Sequence, residues 1–141
     1  MTTRFTILIL LLAATSSLQA QTAAKTFNKT FNSEGKGTIT LDLPGNIDLK
    51  VWDNPTVRIE ISVSLPSGNN AMLTELATVG RYNLVAKPVG DHLYINVPNM
   101  AKQVRVKGEI IHETLTFVVF VPKDVKIEMH NTEELAEAKK E

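Results

Sequence analysis

Cysteine is absent from this 141-residue sequence, and aromatic residues are scarce. A chain without cysteine forms no disulfide, offers no thiolate to a metal and has no cysteine nucleophile. One Trp, two Tyr and five Phe are too few for a base-stacking platform. Lys plus Arg and Asp plus Glu number 15 each, so no basic excess marks a nucleic-acid binder. The 43% of apolar residues instead indicates a folded domain.

Long apolar runs are also rare, and the clearest one lies close to the N-terminus. Residues 5–14 (FTILILLLAA) follow Arg4 and precede a small, mostly polar stretch that ends at Ala20. This order is typical of a secretory signal peptide, and we expect cleavage after Ala20. A membrane-spanning helix needs about 20 apolar residues, roughly twice this run. The sequence therefore predicts an exported protein of the periplasm, cell surface or medium, with no stable membrane span once residues 1–20 are removed.

Most of the remaining sequence alternates apolar and polar residues, which is the pattern of half-buried strands. It is clearest at 57–65, where every second residue is Val, Ile or Leu. Related patterns predict further strands at 25–32, 38–43, 47–51, 82–86, 93–97, 104–106, 109–121 and 125–129. The second half of 109–121 is apolar on both faces, which predicts a central strand.

Two segments have the composition of helices. Residues 70–79 are predicted to form one internal helix, with Asn70 as N-cap and Gly80 just beyond its end. Its apolar stripe, which we expect to pack on the core, consists of Met72, Leu73, Leu76 and Val79. Residues 131–141 (NTEELAEAKKE) carry only a thin apolar stripe and predict a charged, solvated helical tail.

An internal echo points to stacked strands. Residues 43–51 (LPGNIDLKV) parallel residues 121–129 (VPKDVKIEM), each with an apolar residue, a proline, a corner and an alternating strand. Proline lacks an N–H group and therefore ends a strand ladder. We predict one mainly β domain at 21–130 with the internal helix, either an antiparallel sandwich or a short β-solenoid-like stack.

Several of these segments resemble a bacterial family of adhesin-like β-strand-repeat domains whose biochemical function is undefined. The resemblance rests on the export signal, on 25–27 (KTF), on 41–47 (LDLPGNI) with Trp52-Asp53, and on 117–127 (FVVFVPKDVKI). It covers most of the chain after the signal, through patterns rather than catalytic signatures. The family implies a surface-binding β domain that continues into Gly-rich repeated strands, whereas this sequence has a charged tail after 129.

Catalytic and metal-binding motifs are incomplete. His92, His112 and His130 lie far apart, and His112-Glu113 lacks the second histidine of a zinc helix. The nearest match to a dinucleotide loop, Gly35-x-Gly37, has Thr40 in place of its third glycine.

Other polar residues were also considered as site residues. The aspartates at 42, 48 and 53 lack the glycine-centred acidic loop of a calcium site, so we expect Asp42, Asp48 and Asp53 to be solvated. On one long strand Glu109 and Glu113 share a face, with nothing in the sequence to bury them. Trp52 and Tyr94 suggest a sugar-stacking patch, although a lone Trp beside a turn more often packs on the core edge.

These observations predict a non-catalytic β domain with no cofactor, no metal site and no assignable catalytic residue. Its partner is expected to be a surface ligand or another envelope protein, bound through a sheet face or edge. Three functions stay open: an adhesin-like binding module, a structural or accessory partner of an envelope protein, and, with least support, an enzyme. An exposed apolar patch favours the second function, and a deep pocket with converging polar groups favours the third.

Overall fold

The computed structural model describes residues 22–66 and 69–130, in which the chain is mainly β with one α-helix. The predicted signal peptide (1–20) and the predicted tail (131–141) lie outside the described residues. The strands are β1 (Ala23–Asn32), β2 (Thr38–Asp42), β3 (Asn46–Trp52), β4 (Thr56–Leu65), β5 (Val85–Val89), β6 (His92–Asn96), β7 (Arg105–Val106), β8 (Glu109–Ile110), β9 (Thr114–Pro122) and β10 (Lys126–His130). The helix α1 spans Asn70–Thr78, and a 3₁₀ turn spans Pro98–Ala101.

Two four-stranded sheets hold the core between them. Sheet A has the order β1-β4-β9-β3, sheet B has the order β10-β2-β6-β5, and β7 and β8 form a separate hairpin. β4 pairs antiparallel with β1 and β9, and β5 pairs antiparallel with β6. β3 runs parallel to β9, and β2 runs parallel to both β10 and β6. The mainly β prediction is confirmed, and the fold is sandwich-like, with mixed sheets rather than purely antiparallel ones.

The inner faces of the sheets are those that the alternation predicts. In β4, Val57, Ile59, Ile61, Val63 and Leu65 are each at most 1% exposed. Their register neighbours on β9 include the buried Phe117 and Val119. β9 lies between β4 and β3, so the predicted central strand is confirmed.

Two short corners explain the sequence echo. Residues 43–45 carry the chain from β2 in sheet B to β3 in sheet A, and residues 123–125 carry it back from β9 to β10. β3 pairs parallel with β9 and β10 pairs parallel with β2, so each echoed segment leads into an edge strand of a mixed sheet. At the first corner Gly45 has φ +135°, and a Cβ there would lie 2.6 Å from the backbone oxygen of Leu115. Only glycine fits that approach.

Helix α1 forms where the sequence predicts it, with one correction. The N-cap is Asn69 rather than Asn70, because the Asn69 side-chain oxygen accepts a 2.8 Å hydrogen bond from the N–H of Met72. Gly80 has φ +79° just past the helix, as a C-terminal glycine should. Leu73 and Leu76 are buried and the helix contacts β1, so the core-packing prediction is confirmed for this part of the stripe. Val79 falls beyond the last turn and is 73% exposed.

Two of the predicted strands, at 82–86 and 109–121, differ from the structure by more than two residues. The strand expected at 82–86 begins only at Val85. Tyr82 and Leu84 are buried, as their alternation predicts, but they lie in the connection before the strand. Its end also lies later than predicted, since β5 runs to Val89 and the turn to β6 is at Gly90-Asp91. The long strand expected at 109–121 is interrupted at 111–113, where the N–H of Ile111 bonds to the carbonyl of Val104.

Candidate functional site

One side of the sandwich exposes side chains that point toward its interior. β3 ends sheet A and β10 ends sheet B, and the short corners place these two strands on the same side. In the described residues no strand pairs with the outer edge of either one. Leu49, Val51 and Met129 are 38%, 61% and 58% exposed, although the register puts them on the inner faces. We call β3 and β10 with these three side chains the open edge.

The sequence predicted β3 as an alternating strand but did not reveal this exposure. Ile47, Leu49 and Val51 alternate in the same way as the buried residues of β4, yet Ile47 alone packs against the core. The reason is position, because β3 is an edge strand and β4 is internal to its sheet. The backbone N–H and C=O groups on an edge can hydrogen-bond to an added strand.

On the opposite side, which we call the closed side, helix α1 packs against β1. β1 ends sheet A and β5 ends sheet B there, and α1 contacts β1 while it buries Leu73 and Leu76. The ring of Phe27 on β1 stacks on Tyr82, with 5.5 Å between centroids. Two exposed valines on β5, Val85 and Val89, lie on the outer face and not toward the interior. Inner-face apolar side chains are therefore exposed on the open edge, whereas on the closed side a helix packs beside them.

Along β3, charged residues separate the apolar ones. Asp48 and Lys50 lie on the outer face, and the Lys50 Nζ is 3.8 Å from the Asp48 carboxylate. Both side chains are more than half exposed. An incoming strand at this edge therefore meets one negative and one positive group on either side of Leu49.

The outer face of sheet A carries an aromatic and cationic cluster. Trp52 and Phe120 have ring centroids 5.3 Å apart, and the Trp52 indole N–H donates a 2.8 Å hydrogen bond to the carbonyl of Thr56. Lys50 Nζ and the Arg58 guanidinium carbon each lie 5.9 Å from the Phe120 centroid. Trp52 is thus held in place by packing on Phe120 and by its N–H hydrogen bond, and the two cations lie near the Phe120 ring.

The outer face of sheet B collects ionisable side chains from distant parts of the chain. His92 and His130 both lie on it, with Thr40 and Glu128 in the row between them. His92 Nδ1 is 3.3 Å from the Thr40 hydroxyl and 3.9 Å from Glu128. The ammonium of Lys126, 2.8 Å from Glu128, lowers the pKa of that carboxyl. This strand pairing was not visible in the sequence.

Tyr94 and Asp42 form a close hydrogen bond on the same face. The Tyr94 hydroxyl donates to the Asp42 carboxylate at 2.5 Å. This bond, with some desolvation, raises the pKa of Tyr94 to about 12. Trp52 lies on sheet A and Tyr94 on sheet B, so the two do not form a common sugar-stacking patch.

A buried ion pair links the end of α1 to the start of β9, and the sequence gave no signal for it. Arg81 donates two hydrogen bonds to Glu113, at 2.6 and 2.7 Å, and the two side chains are 7% and 3% exposed. The Tyr82 hydroxyl donates to the same carboxylate at 2.8 Å. Arg81 also donates to the carbonyls of Asn99 and Lys102.

The expectation that nothing buries Glu113 is therefore wrong, and Glu109 is exposed in β8. The hydrogen bond to Glu113 raises the pKa of Arg81, and burial followed by that same carboxylate raises the pKa of Tyr82 well above its usual range. In the described residues no buried side-chain N or O atom lacks a hydrogen-bond partner, and this network ties the 3₁₀ turn to the residue before β9; we call it the clamp.

The remaining candidate residues are dispersed. His112 is exposed between β8 and β9, and Asp53 is exposed in a turn with Lys123 as its ion-pair partner. Asp48 and Asp42 lie on different sheets. Over residues 22–66 and 69–130, no group of three or more His, Asp or Glu side chains is arranged to hold a metal ion.

Comparison with known proteins gives little similarity. No protein-family model matches the chain, and no curated protein matches it. A crystal structure of a Clostridium sporogenes protein proposed to act in cell adhesion superposes with a TM-score of 0.40 at 11% identity. The match covers 75% of this chain and 45% of that chain. Within the described part of the chain, no helix has the length and apolar character needed to cross a membrane.

Proposed function

We propose that this chain is an exported, non-catalytic module of the cell envelope that binds a protein partner by adding strands at the open edge. The observation that carries the proposal is the exposure of Leu49, Val51 and Met129, three inner-face side chains, beside two edge strands on one side of the fold. Of the functions that the sequence left open, this corresponds to the structural or accessory partner of an envelope protein.

Strand addition supplies both affinity and selectivity from these elements. The backbone groups on the outer edge of β3 would hydrogen-bond to an incoming strand, and Leu49 and Val51 would pack on its side chains. Burial of apolar surface contributes about 25 cal/mol per Å², so covering these side chains favours the complex. No catalytic group is needed for such a role. The N-terminal run at 5–14, with its small residues up to Ala20, supports export.

The test compares two valines of similar exposure that lie on opposite sides of the fold. Val51 on the open edge and Val79 on the closed side are 61% and 73% exposed, so replacing either one with lysine should leave the fold intact. We expect Val51→Lys to abolish retention of a specific partner from an envelope extract, and Val79→Lys to retain it. The retained protein is then identified by mass spectrometry and its binding is measured with both purified components.

Three results would overturn the proposal. They are equal retention by Val51→Lys and the unmodified protein, equal loss with Val79→Lys, and failure of the purified components to bind. The unfolding midpoints of both variants, compared with the unmodified protein at low protein concentration, serve as the control for folding, because a global loss of structure would lower them.

A second candidate function rests on the aromatic and cationic cluster of sheet A. Trp52 and Phe120 provide ring faces, and Lys50 and Arg58 provide positive charge beside them. This combination suits an acidic surface glycan, whose sugar rings stack on aromatics while its carboxylates meet the cations, and it corresponds to the adhesin-like function. Binding of a polyuronic acid that is lost in Phe120→Ala and kept in Val51→Lys would favour this function over edge binding.

A further inference from the structure

We infer that the partner at the open edge is a second copy of this chain, joined to the first by antiparallel pairing of the two β3 strands about Leu49. This inference rests on the proposed function and names its partner. It comes from the order of charges along β3, where Asp48 and Lys50 lie one residue on either side of Leu49 on the outer face. In an antiparallel pair centred on Leu49, Asp48 of each copy lies opposite Lys50 of the other.

The alternation of faces restricts the registers that two copies can adopt. A slip of the strand by one residue turns apolar residues outward and is excluded wherever one face is buried. The nearest registers that keep the faces aligned place Asp48 opposite Asp48 or Lys50 opposite Lys50. Like charges directly opposite each other destabilise a strand pair, and opposite charges stabilise it. Of these three registers, only the one centred on Leu49 pairs opposite charges.

The same register matches the apolar side chains. Leu49 meets Leu49 of the second copy across the two-fold axis, and Val51 meets Ile47, both on the inner face. The pairing joins the two A sheets into one continuous sheet. Trp52 lies opposite Asn46 of the second copy, so the single Trp of the chain reports the contact.

Charge variants test the register directly. Asp48→Lys places lysines opposite lysines in a dimer of two identical copies, and Lys50→Asp places aspartates opposite aspartates. We expect each single variant to dimerise at least about tenfold more weakly in sedimentation velocity, a change of about 1.4 kcal/mol. A mixture of the two single variants restores opposite charges at both contacts, so the two should associate with each other. The double variant Asp48→Lys/Lys50→Asp should again form a dimer of identical copies.

Matched controls reverse charges on the closed side. Glu75→Lys on α1 and Lys87→Asp on β5 make comparable changes in net charge on exposed residues and should leave dimerisation unchanged. Trp52 fluorescence measured against protein concentration should follow the sedimentation result in each case.

Other outcomes overturn the inference in distinguishable ways. A chain that stays monomeric while Val51→Lys still abolishes binding of a different envelope protein refutes the second copy and leaves the proposed function standing. A chain that dimerises only after residues 131–141 are deleted refutes the second copy as the partner of the full-length chain, because those residues then occupy the edge. Dimerisation that is weakened by the single variants and not restored in their mixture refutes the Leu49 register. If the unmodified chain neither dimerises nor binds any other protein through the open edge, both the inference and the proposed function are refuted.

Discussion

Neighbouring residues of β4 differ sharply in what their side chains contribute to stability. Ile61 is 1% exposed in the core, while Glu60 lies on the outer face, 2.9 Å from Arg58. We predict that Ile61→Ala lowers the free energy of unfolding by about 2–5 kcal/mol, because it removes packed methyl groups and leaves a cavity. Glu60→Ala should cost less than about 1 kcal/mol, as expected for an exposed ion pair. Urea unfolding of both variants measures this, and equally small effects would show that β4 is not a core strand.

The Arg81–Glu113 pair predicts an effect that depends on whether one or both charges are removed. Glu113→Gln leaves the Arg81 guanidinium buried without its carboxylate, and we expect a loss of about 3–5 kcal/mol in unfolding free energy. Replacing both residues at once, as Arg81→Met/Glu113→Leu, should cost less than Glu113→Gln alone, since no buried charge is left uncompensated. Asp53→Asn, in the exposed pair with Lys123, is the control and should have little effect. A double variant as unstable as the sum of its two single variants would contradict the clamp.

The raised pKa values of the two tyrosines predict little phenolate in the native protein between the usual tyrosine pKa and about pH 11. Hydrogen bonding to Asp42 raises the pKa of Tyr94 to about 12, and burial raises the pKa of Tyr82 as well. A raised pKa means that the neutral hydroxyl stabilises the fold below the unfolded pKa of about 10. That contribution is lost as the pH rises through the folded-state value. Ultraviolet difference spectra near pH 11 should show phenolate in urea and little in the native protein, and Asp42→Asn should restore much of the Tyr94 signal.

At the level of elements, the corner between β2 and β3 should tolerate a side chain poorly, and a second glycine with positive φ serves as the comparison. Gly45 and Gly35 both have positive φ, at +135° and +68°, but only Gly45 approaches another backbone, the carbonyl of Leu115. Gly35→Ala should cost about 1–2 kcal/mol, because an L-residue is strained in the left-handed region. Gly45→Ala should cost clearly more, since its methyl group collides with β9. Equal costs in thermal unfolding would show that the corner is not packed against β9.

The elements also show what the sequence determined and what it did not. Local alternation correctly assigned the inner face of β4 and the apolar character of β9, because both depend on the residues of one segment. The same alternation in β3 could not show that Leu49 and Val51 are exposed, since exposure depends on which strand lies beside them. The Arg81–Glu113 pair joins residues 32 positions apart, and the His92–Glu128 contact depends on parallel pairing through β2. Contacts between residues distant in sequence depend on the order and direction of the strands, and local alternation does not predict that order.

Signal-peptide cleavage determines which chain is exported, and the predicted cleavage site after Ala20 lies outside the described residues. The apolar run at 5–14 and the small residues up to Ala20 predict that the exported protein begins at or near Gln21. Mass spectrometry of the protein from the producing cell's envelope or medium tests this. Replacing two leucines of the run with aspartates should block export and leave the full-length chain in the cytoplasm. A full-length chain as the main species in unmodified cells would contradict the prediction.

The whole fold also predicts how large an assembly can grow. A two-fold contact between β3 strands uses the outer edge of β3 in both copies, and on the far side α1 and the Phe27–Tyr82 stack lie against β1. An interface of this isologous kind closes on itself, so we expect monomers and dimers in native mass spectrometry and no ladder of larger species. The unfolding temperature should rise with protein concentration, because association stabilises only the folded chain. In Val51→Lys it should be independent of concentration and equal to that of the dilute unmodified protein, since Val51 is 61% exposed in the monomer. A regular series of higher oligomers would show that a second surface, such as the outer edge of β5, joins copies head to tail.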